Sequence, residues 1–294
     1  MHDVDEAIAS SNEVGNGFRR ARVGSLIIDW SPNLPSEAGA IVTAFADLVR
    51  HFRASRCRPR GRGRGGSTWR GEAFGRRVVV RRYLHGGLTA TLVPQTFPTP
   101  RRLHQEMHIA AYARAHGVPT PAVLGGVAEK VCPGVYRLWI VTEEIPDSEG
   151  LPNFLQRLHN VAQQELQARK TQVVRAIGHA LQRLHAARIQ HGDLSAGNIL
   201  VQESHAAWTA GAYIVDLDQS RILPEMTARA RQANLARLAR SLRKLDPSER
   251  FWSAADWHML LQTYLCPDEQ NGLAEWVCAV RQRSWVHELW WKVA

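Results

Sequence analysis

Lysine is nearly absent from this chain. Only Lys130, Lys170, Lys244 and Lys292 occur, so the positive charge is almost entirely arginine. The formal charge is +10 and the pI about 10.1. A balance this basic favours an anionic partner, such as a nucleotide, a nucleic acid or an acidic membrane, unless it is only a solvated surface. Cysteine is sparse too. The four residues, Cys57, Cys132, Cys266 and Cys278, form no C-x-x-C pair and have no zinc-site spacing to histidine. That argues against a disulfide framework or a structural zinc site and fits ordinary thiols in a reducing compartment. No apolar run approaches the ~18 residues of a membrane span. Residues 1–15 lack the basic start and apolar core of a signal peptide. The expectation is a cytoplasmic protein, with or without contact to a membrane surface.

Neither proline nor glycine is in excess. With 45% hydrophobic residues over 294 positions, there is material for one large domain or two lobes. Residues 1–23 are small, polar and mixed in charge, and read as a loosely ordered arm. Strands are expected near 24–30, 67–74, 77–83, 122–130 and 135–144, and helices at 36–53 and 102–116. Pro146 to Pro152 reads as a linker between an amino-terminal lobe, 24–146, and a carboxy-terminal lobe, 147–294. The second lobe is expected to be mainly helical, at 153–159, 165–188, 228–245, 253–265 and 273–291. A strand pair near 198–202 and 211–217 interrupts those helices. Pattern alone therefore predicts an α+β chain, β-rich first and helical second.

The sharpest signal is His191-Gly-Asp193-Leu-Ser-Ala-Gly-Asn198. It follows a long predicted helix and runs into the apolar Ile199-Leu200-Val201. H-x-D-x-x-x-x-N is the pattern of a kinase catalytic loop. In such a loop the aspartate takes the proton of the acceptor hydroxyl, and the asparagine turns back to hold magnesium on the nucleotide phosphates. The apolar strand Tyr213-Ile-Val then ends at Asp216, the expected position of a second magnesium ligand, and Asp218 adds another carboxylate nearby. Taken singly, Asp193 or Asp216 fits an ordinary turn residue. Their order and spacing together point to a two-lobed, protein-kinase-like phosphotransferase using ATP and Mg2+.

The nucleotide-facing residues carry weaker signals. Gly63, Gly65, Gly66, Ser67 and Thr68 form a turn whose backbone N–H groups and hydroxyls suit phosphate, though a flexible basic linker has the same composition. On the next strand, at Val78-Val-Val-Arg81-Arg82-Tyr83, a kinase places a lysine; here only arginine is available. Side chains alternate along a strand, so only one of Arg81 and Arg82 faces the cleft. Glu106 is the only carboxylate in the 102–116 helix and hence the natural partner of Arg81. Fourteen arginines and a single acidic residue, Glu72, lie between residues 48 and 105, a composition suited to anionic headgroups or lipid phosphates. Trp285, Val286, Leu289, Trp290 and Val293 make a terminal helical stripe, suited either to a bilayer interface or to packing on the second lobe. No nucleic-acid-binding pattern accompanies the charge.

Together these residues resemble the lipopolysaccharide kinase family of Gram-negative bacteria, in particular its kinases of 3-deoxy-D-manno-octulosonic acid (Kdo). The likeness runs from about Gly63 to Leu265. It includes Val80-Arg81-Arg82-Tyr83 with Gly86-Gly87, Glu106 before Gly117-Val-Pro-Thr-Pro121, and Val141-Thr-Glu143-Glu-Ile145. It continues through Leu184-His185 into the 191–198 loop, Asp216-Leu-Asp218, and Asn234-Leu-Ala-Arg237-Leu-Ala-Arg240-Ser241. The resemblance implies ATP-dependent phosphorylation of a Kdo hydroxyl on a lipid A precursor, at the inner face of the inner membrane. It also implies that Glu143 to Ile145 connect the lobes and hold adenine through backbone groups. Gly192 stands where regulated protein kinases carry arginine, Asp218 replaces the glycine of D-F-G, and no A-P-E triplet follows. These departures point away from a peptide acceptor. A small-molecule phosphotransferase of the aminoglycoside or choline kinase type, and a kinase-fold membrane adaptor motivated by Arg81, are the rival readings.

Overall fold

The computed structural model of the chain describes residues 12–14, 17–55, 68–84, 95–158, 163–204 and 209–293. Helix and sheet are mixed, and the chain divides into two compact units. The first comprises 1–111 and 121–144; the second comprises 112–120 and 145–294.

The first unit is built on an antiparallel sheet of β1 (Asn12–Val14), β2 (Phe18–Val23), β3 (Leu26–Trp30), β4 (Thr68–Ala73), β5 (Arg76–Arg82), β6 (Val123–Cys132) and β7 (Val135–Glu143). Their spatial order is β1-β2-β3-β6-β7-β5-β4. Helix α1 (Ala38–Ala54) covers one face and α2 (Arg101–Ala115) the other; α2 passes into the second unit from Tyr112 onward. Strand alternation explains the two faces. On β7, Trp139 and Val141 join Ile41, Phe45, Leu48 and Phe52 of α1, whereas Leu138 and Ile140 join Leu103 and Met107 of α2. A strand buried on both faces reads as the continuous apolar run seen at 138–141.

Residues 18–23 depart from the expectation of a loosely ordered arm. They form β2, paired with β3 through Arg19↔Trp30 to Val23↔Leu26. Phe18 and Ala21 are buried on opposite faces of the sheet. Arg20 donates from Nε to the buried Asp29 at 2.6 Å, and His104 of α2 lies 2.7 Å from the same carboxylate. The polar composition that reads as disorder is here an ion cluster crossing from sheet to helix.

The second unit contains β8 (Ser148–Gly150), α3 (Leu151–Arg157), α4 (Gln163–Ala186), β9 (Ile189–Gln190), β10 (Ile199–Ser204), β11 (Thr209–Ile214), β12 (Arg221–Ile222), α5 (Ala228–Leu245), α6 (Ala254–Tyr264) and α7 (Leu273–Val293). Strands β11, β10 and β8 make one small sheet, and β12 pairs with β9. The Pro146–Pro152 segment is thus more than a linker, because Gly150, Glu149 and Ser148 pair with Leu200, Val201 and Gln202. Helix α4 is the core element, burying Val173, Val174, Ile177, Leu181 and Leu184. It approaches α6 closely at Gly178, where a Cβ would stand 2.9 Å from the Leu260 carbonyl oxygen. Lys170 of α4 and Asp256 of α6 form a buried ion pair at 2.9 Å. Asp256 also accepts from the Ser253 backbone and hydroxyl, capping α6 while satisfying the buried charge.

Candidate active site

The loop 191–198 lies between β9 and β10, and one face of α5 holds it. Asn234, Arg237 and Ser241 stand at i, i+3 and i+7, which puts them on a single helical stripe. The Asn234 amide brackets the His191 backbone: its Oδ1 accepts from the His191 N–H at 2.9 Å and its Nδ2 donates to the His191 carbonyl at 3.0 Å. Ser241 Oγ accepts from the Ala196 N–H at 3.1 Å. Between these two anchors, Arg237 reaches the Asp193 carboxylate, with Nε at 2.7 Å and Nη2 at 2.6 Å from Oδ1.

Inside the loop, His191 sets the path. Its Nδ1 accepts from the Asp193 N–H at 3.0 Å, and its Nε2 donates to the Val215 carbonyl at 3.1 Å. These roles require the neutral ring. Burial pushes the His191 pKa down, against the opposing pull of the Val215 bond and of Asp216 and Asp193. Asn198 Nδ2 donates to the Asp193 carbonyl at 2.8 Å, which directs the amide oxygen away from that bond. The Val215 N–H donates to the Asn198 carbonyl at 3.0 Å. Asp193, Asn198 and Asp216 are therefore brought together through the backbone and through His191. Asp216 itself has φ 60°, a conformation uncommon for a residue with a side chain.

Gly192 owes its identity to a close approach. A Cβ there would meet the Gln219 carbonyl carbon and oxygen at 2.7 Å and the Asp218 oxygen at 2.8 Å. The loop and the segment after Asp216 pass too near each other for any side chain. Helix α5 then starts at Ala228, with Thr227 as its N-cap, so little chain separates Asp216 from the stripe that grips the loop.

Beneath the loop runs a polar chain, buried at His185, Asn234 and Tyr264. His185 Nε2 lies 3.2 Å from Asn234 Oδ1, and its Nδ1 lies 2.7 Å from the Tyr264 hydroxyl. Arg231 donates from Nε to that hydroxyl at 2.5 Å and forms a forked pair with Glu269 at 2.6 and 2.9 Å. The only proton assignment that satisfies every bond has Tyr264 donating to a neutral His185, whose Nε2–H donates to Asn234. Burial lowers the His185 pKa to about 4, with Arg231 and His191 acting the same way and the Asn234 bond opposing.

In the first unit, the parity of β5 decides between the two arginines. Val78 and Val80 face α1, so Arg82 points to that side, its guanidinium 5.9 Å from the Trp139 ring centre. Arg81 faces α2, where its Nη2 lies 2.5 and 2.6 Å from the two oxygens of the buried Glu106. The Tyr83 hydroxyl donates to Glu106 Oε2, and the Arg81 guanidinium lies 4.7 Å over the Tyr83 ring. Thr68 sits opposite Arg81 in the β4–β5 ladder. Gly63, Gly65, Gly66 and Ser67 lie outside the described residues, as do the side chains of Trp285, Val286, Leu289, Trp290 and Val293. The Glu143 N–H donates to the Ala122 carbonyl, and the chain enters the second unit at Ile145. Among the described residues, no cluster of three or more His, Cys, Asp or Glu is arranged to hold a metal ion, and no helix is long and apolar enough to cross a membrane.

A sequence model of the lipopolysaccharide kinase (Kdo/WaaP) family matches residues 51–264 of this chain. The chain belongs to that family. It is a phosphotransferase with an alcohol group as acceptor, and family membership implies ATP as the donor. The chain is 31% identical over 250 residues to the 3-deoxy-D-manno-octulosonic acid kinase of Stenotrophomonas maltophilia strain R551-3, a match covering 83% of this chain and 87% of that one. It is 30% identical over 236 residues to the kinase of the same name from Actinobacillus succinogenes, covering 74% and 91%. Among solved structures, WaaP in complex with acyl carrier protein superposes with a TM-score of 0.50 at 20% identity, covering 74% of this chain and 85% of that one. At that identity the likeness concerns the fold.

Within this lipopolysaccharide kinase, Tyr83 and the run from Asn234 to Ser241 entered the sequence reading as part of the family likeness, but the contacts made by Asn234, Arg237, Tyr83, Tyr264 and Arg231 were not read from it.

Proposed function

We propose that the chain transfers the γ-phosphate of ATP to a hydroxyl of Kdo on a lipid A precursor, acting at the inner face of the inner membrane. The observation that carries this reading is the Asp193 carboxylate. It is about one-third exposed, on a loop tied into the second unit by Asn234 and Ser241, with two oxygen donors, Asn198 and Asp216, on the same framework. The length over which named Kdo kinases match supports the choice of acceptor.

Asp193 positions the acceptor hydroxyl and takes its proton as the oxygen attacks. An amide oxygen and a carboxylate form a hard, all-oxygen donor set of the kind magnesium prefers, so Asn198 and Asp216 fit as its protein ligands. Bound there, the ion would neutralise charge on the phosphates. Arg81, oriented by Glu106 and Tyr83, holds the phosphates, aided by the Gly63–Thr68 turn, and Glu143 to Ile145 hold adenine. Most of the rate gain comes from placement and charge stabilisation. The arginines between residues 48 and 105, apart from Arg81 and Arg82, hold the enzyme to anionic lipid as a peripheral protein.

The test follows phosphate from labelled ATP to Kdo-lipid A precursor in detergent, with wild type and Asp193→Asn. Transfer is expected in the wild type and a loss of about 10²–10⁴-fold in the variant. Labelling of a soluble aminoglycoside or choline in place of the lipid would select the small-molecule reading. ATP binding without turnover on any acceptor would select the adaptor.

A further inference from the structure

We infer that Arg237 is a specificity-determining residue that reads the carboxylate of the acceptor sugar. This rests on the phosphotransferase reading above and deepens it.

The three residues of the α5 stripe divide their work. Asn234 and Ser241 bind backbone and hold the loop in place. Arg237, between them, binds no backbone of the loop and goes instead to the side chain that must meet the acceptor. The pair is also open to solvent, with the Arg237 side chain 37% and the Asp193 side chain 32% exposed.

The pairing is incomplete as arginine–carboxylate pairs go. Nε and Nη2 converge on one oxygen, Oδ1, whereas the fork of a guanidinium matches two acceptor oxygens side by side. A guanidinium has five N–H donors, and this contact leaves Nη1 and the second Nη2 hydrogen directed elsewhere. An acceptor hydroxyl placed to give its proton to Asp193 must lie about 3 Å from that carboxylate. A second anionic group on the same sugar ring then falls within reach of the remaining donors. Kdo is a sugar acid and supplies such a group, ionised at neutral pH.

The arrangement discriminates in both directions. An acidic acceptor draws the guanidinium toward itself and is oriented by it. A neutral acceptor leaves Arg237 on Asp193, competing for the lone pairs that the hydroxyl needs. Reward and penalty both act at Arg237.

The experiment compares kcat/KM for Kdo-lipid A precursor and for its Kdo methyl ester, with every hydroxyl intact, in wild type, Arg237→Gln and Arg237→Lys. The wild type is expected to prefer the acid by about 10–100-fold, the range of a charge-assisted hydrogen bond. In Arg237→Gln the ratio should fall to about one, with the loss on the acid carried by KM for the acceptor rather than for ATP. Arg237→Lys, a point charge without the fork, should give an intermediate ratio. A wild type that uses acid and ester equally overturns the inference without recourse to any variant. So does an acid preference that survives in Arg237→Gln, or a loss confined to KM for ATP, which would put Arg237 on the γ-phosphate. No transfer by folded wild type to either acceptor overturns the Kdo reading itself and this inference with it.

Discussion

At Gly192 a single hydrogen atom separates a working loop from a displaced one. Any β-carbon there stands 2.7 Å from backbone atoms of Gln219, which have no flexible end to swing away. Overpacking of this kind costs about 1–3 kcal/mol, and here the strain falls between the segments carrying Asp193 and Asp216. Gly192→Ala is therefore expected to fold, with a modestly lowered melting temperature, and to lose about 10²-fold in kcat, as misplacement near 1 Å does. Calorimetry beside the transfer assay checks this; full activity in Gly192→Ala would show that the two segments do not need their observed spacing. Arg81 is a second position where chemistry is tied to one residue type. One Nη2 lies within hydrogen-bond distance of both Glu106 oxygens while the guanidinium carbon stands 4.7 Å from the Tyr83 ring centre. Lysine would keep the charge and lose the planar contact. Arg81→Lys is expected to raise KM for ATP several-fold, and Arg81→Ala to raise it further, readable from ATP titrations at saturating acceptor. An unchanged KM in Arg81→Ala would remove Arg81 from the phosphate site.

The elements show why some of this molecule was legible in its sequence and some was not. Helix α1 announced itself through Ile41, Phe45, Leu48 and Phe52, all of which are buried against the sheet. Loop 191–198 was legible because its spacing is local, with Asp193 and Asn198 on one short excursion between two elements. Strands β8, β9 and β12 were not, because two or three residues carry no periodicity and pair only once the fold brings a partner alongside. Strand β2 was hidden by Arg19, Arg20 and Arg22, whose charge suggests solvent, although Arg20 answers the buried Asp29. The α5 run from Asn234 to Ser241 was visible only as part of the family likeness, and its contacts lie more than forty positions away. That distance is why the work of Asn234 was out of sight. Asn234→Ala strips the His191 N–H and carbonyl of partners and leaves the His185 Nε2–H without its acceptor. Each orphaned group costs about 1–3 kcal/mol when buried. The variant is expected to lower kcat about 10²-fold, leave KM for ATP within about twofold, and raise hydrogen exchange in the 191–198 loop. Exchange that rises evenly over the whole second unit would point to general destabilisation instead.

For the whole molecule, the polar chain that runs from Glu269 through the buried His185 to the 191–198 loop makes stability depend on pH. His185 titrates near 6.5 when unfolded and at about 4 when folded, because burial excludes the charged ring and Arg231 and His191 repel it. Between those values the unfolded state binds the extra proton and the native state does not. The sign follows: the stabilisation is fully present above pH 6.5 and is lost as the pH falls toward 4. From pH 7.5 to pH 5 this group alone should remove about 2 kcal/mol. Glu269 and Asp246 act in the same direction at lower pH. The Arg231 hydrogen bonds hold Glu269 below the usual carboxylate range, against the opposing effect of partial burial. For Asp246, burial raises the pKa, but the backbone N–H groups of Phe251, Trp252 and Arg250 outweigh it. The experiment is urea unfolding at pH 7.5 and pH 5 for wild type and His185→Gln. Glutamine can accept from Tyr264 and donate to Asn234 but cannot take up a proton. It is expected to be less stable at pH 7.5, where it packs less well, yet to lose less of its remaining stability on going to pH 5. Equal losses in the two proteins would mean that His185 does not carry the acid sensitivity. Because Asn234 joins His185 to the backbone of His191, protonation at 185 should also loosen the loop that bears Asp193. Activity in the wild type should then fall over the same pH window as stability, and His185→Gln should separate the two.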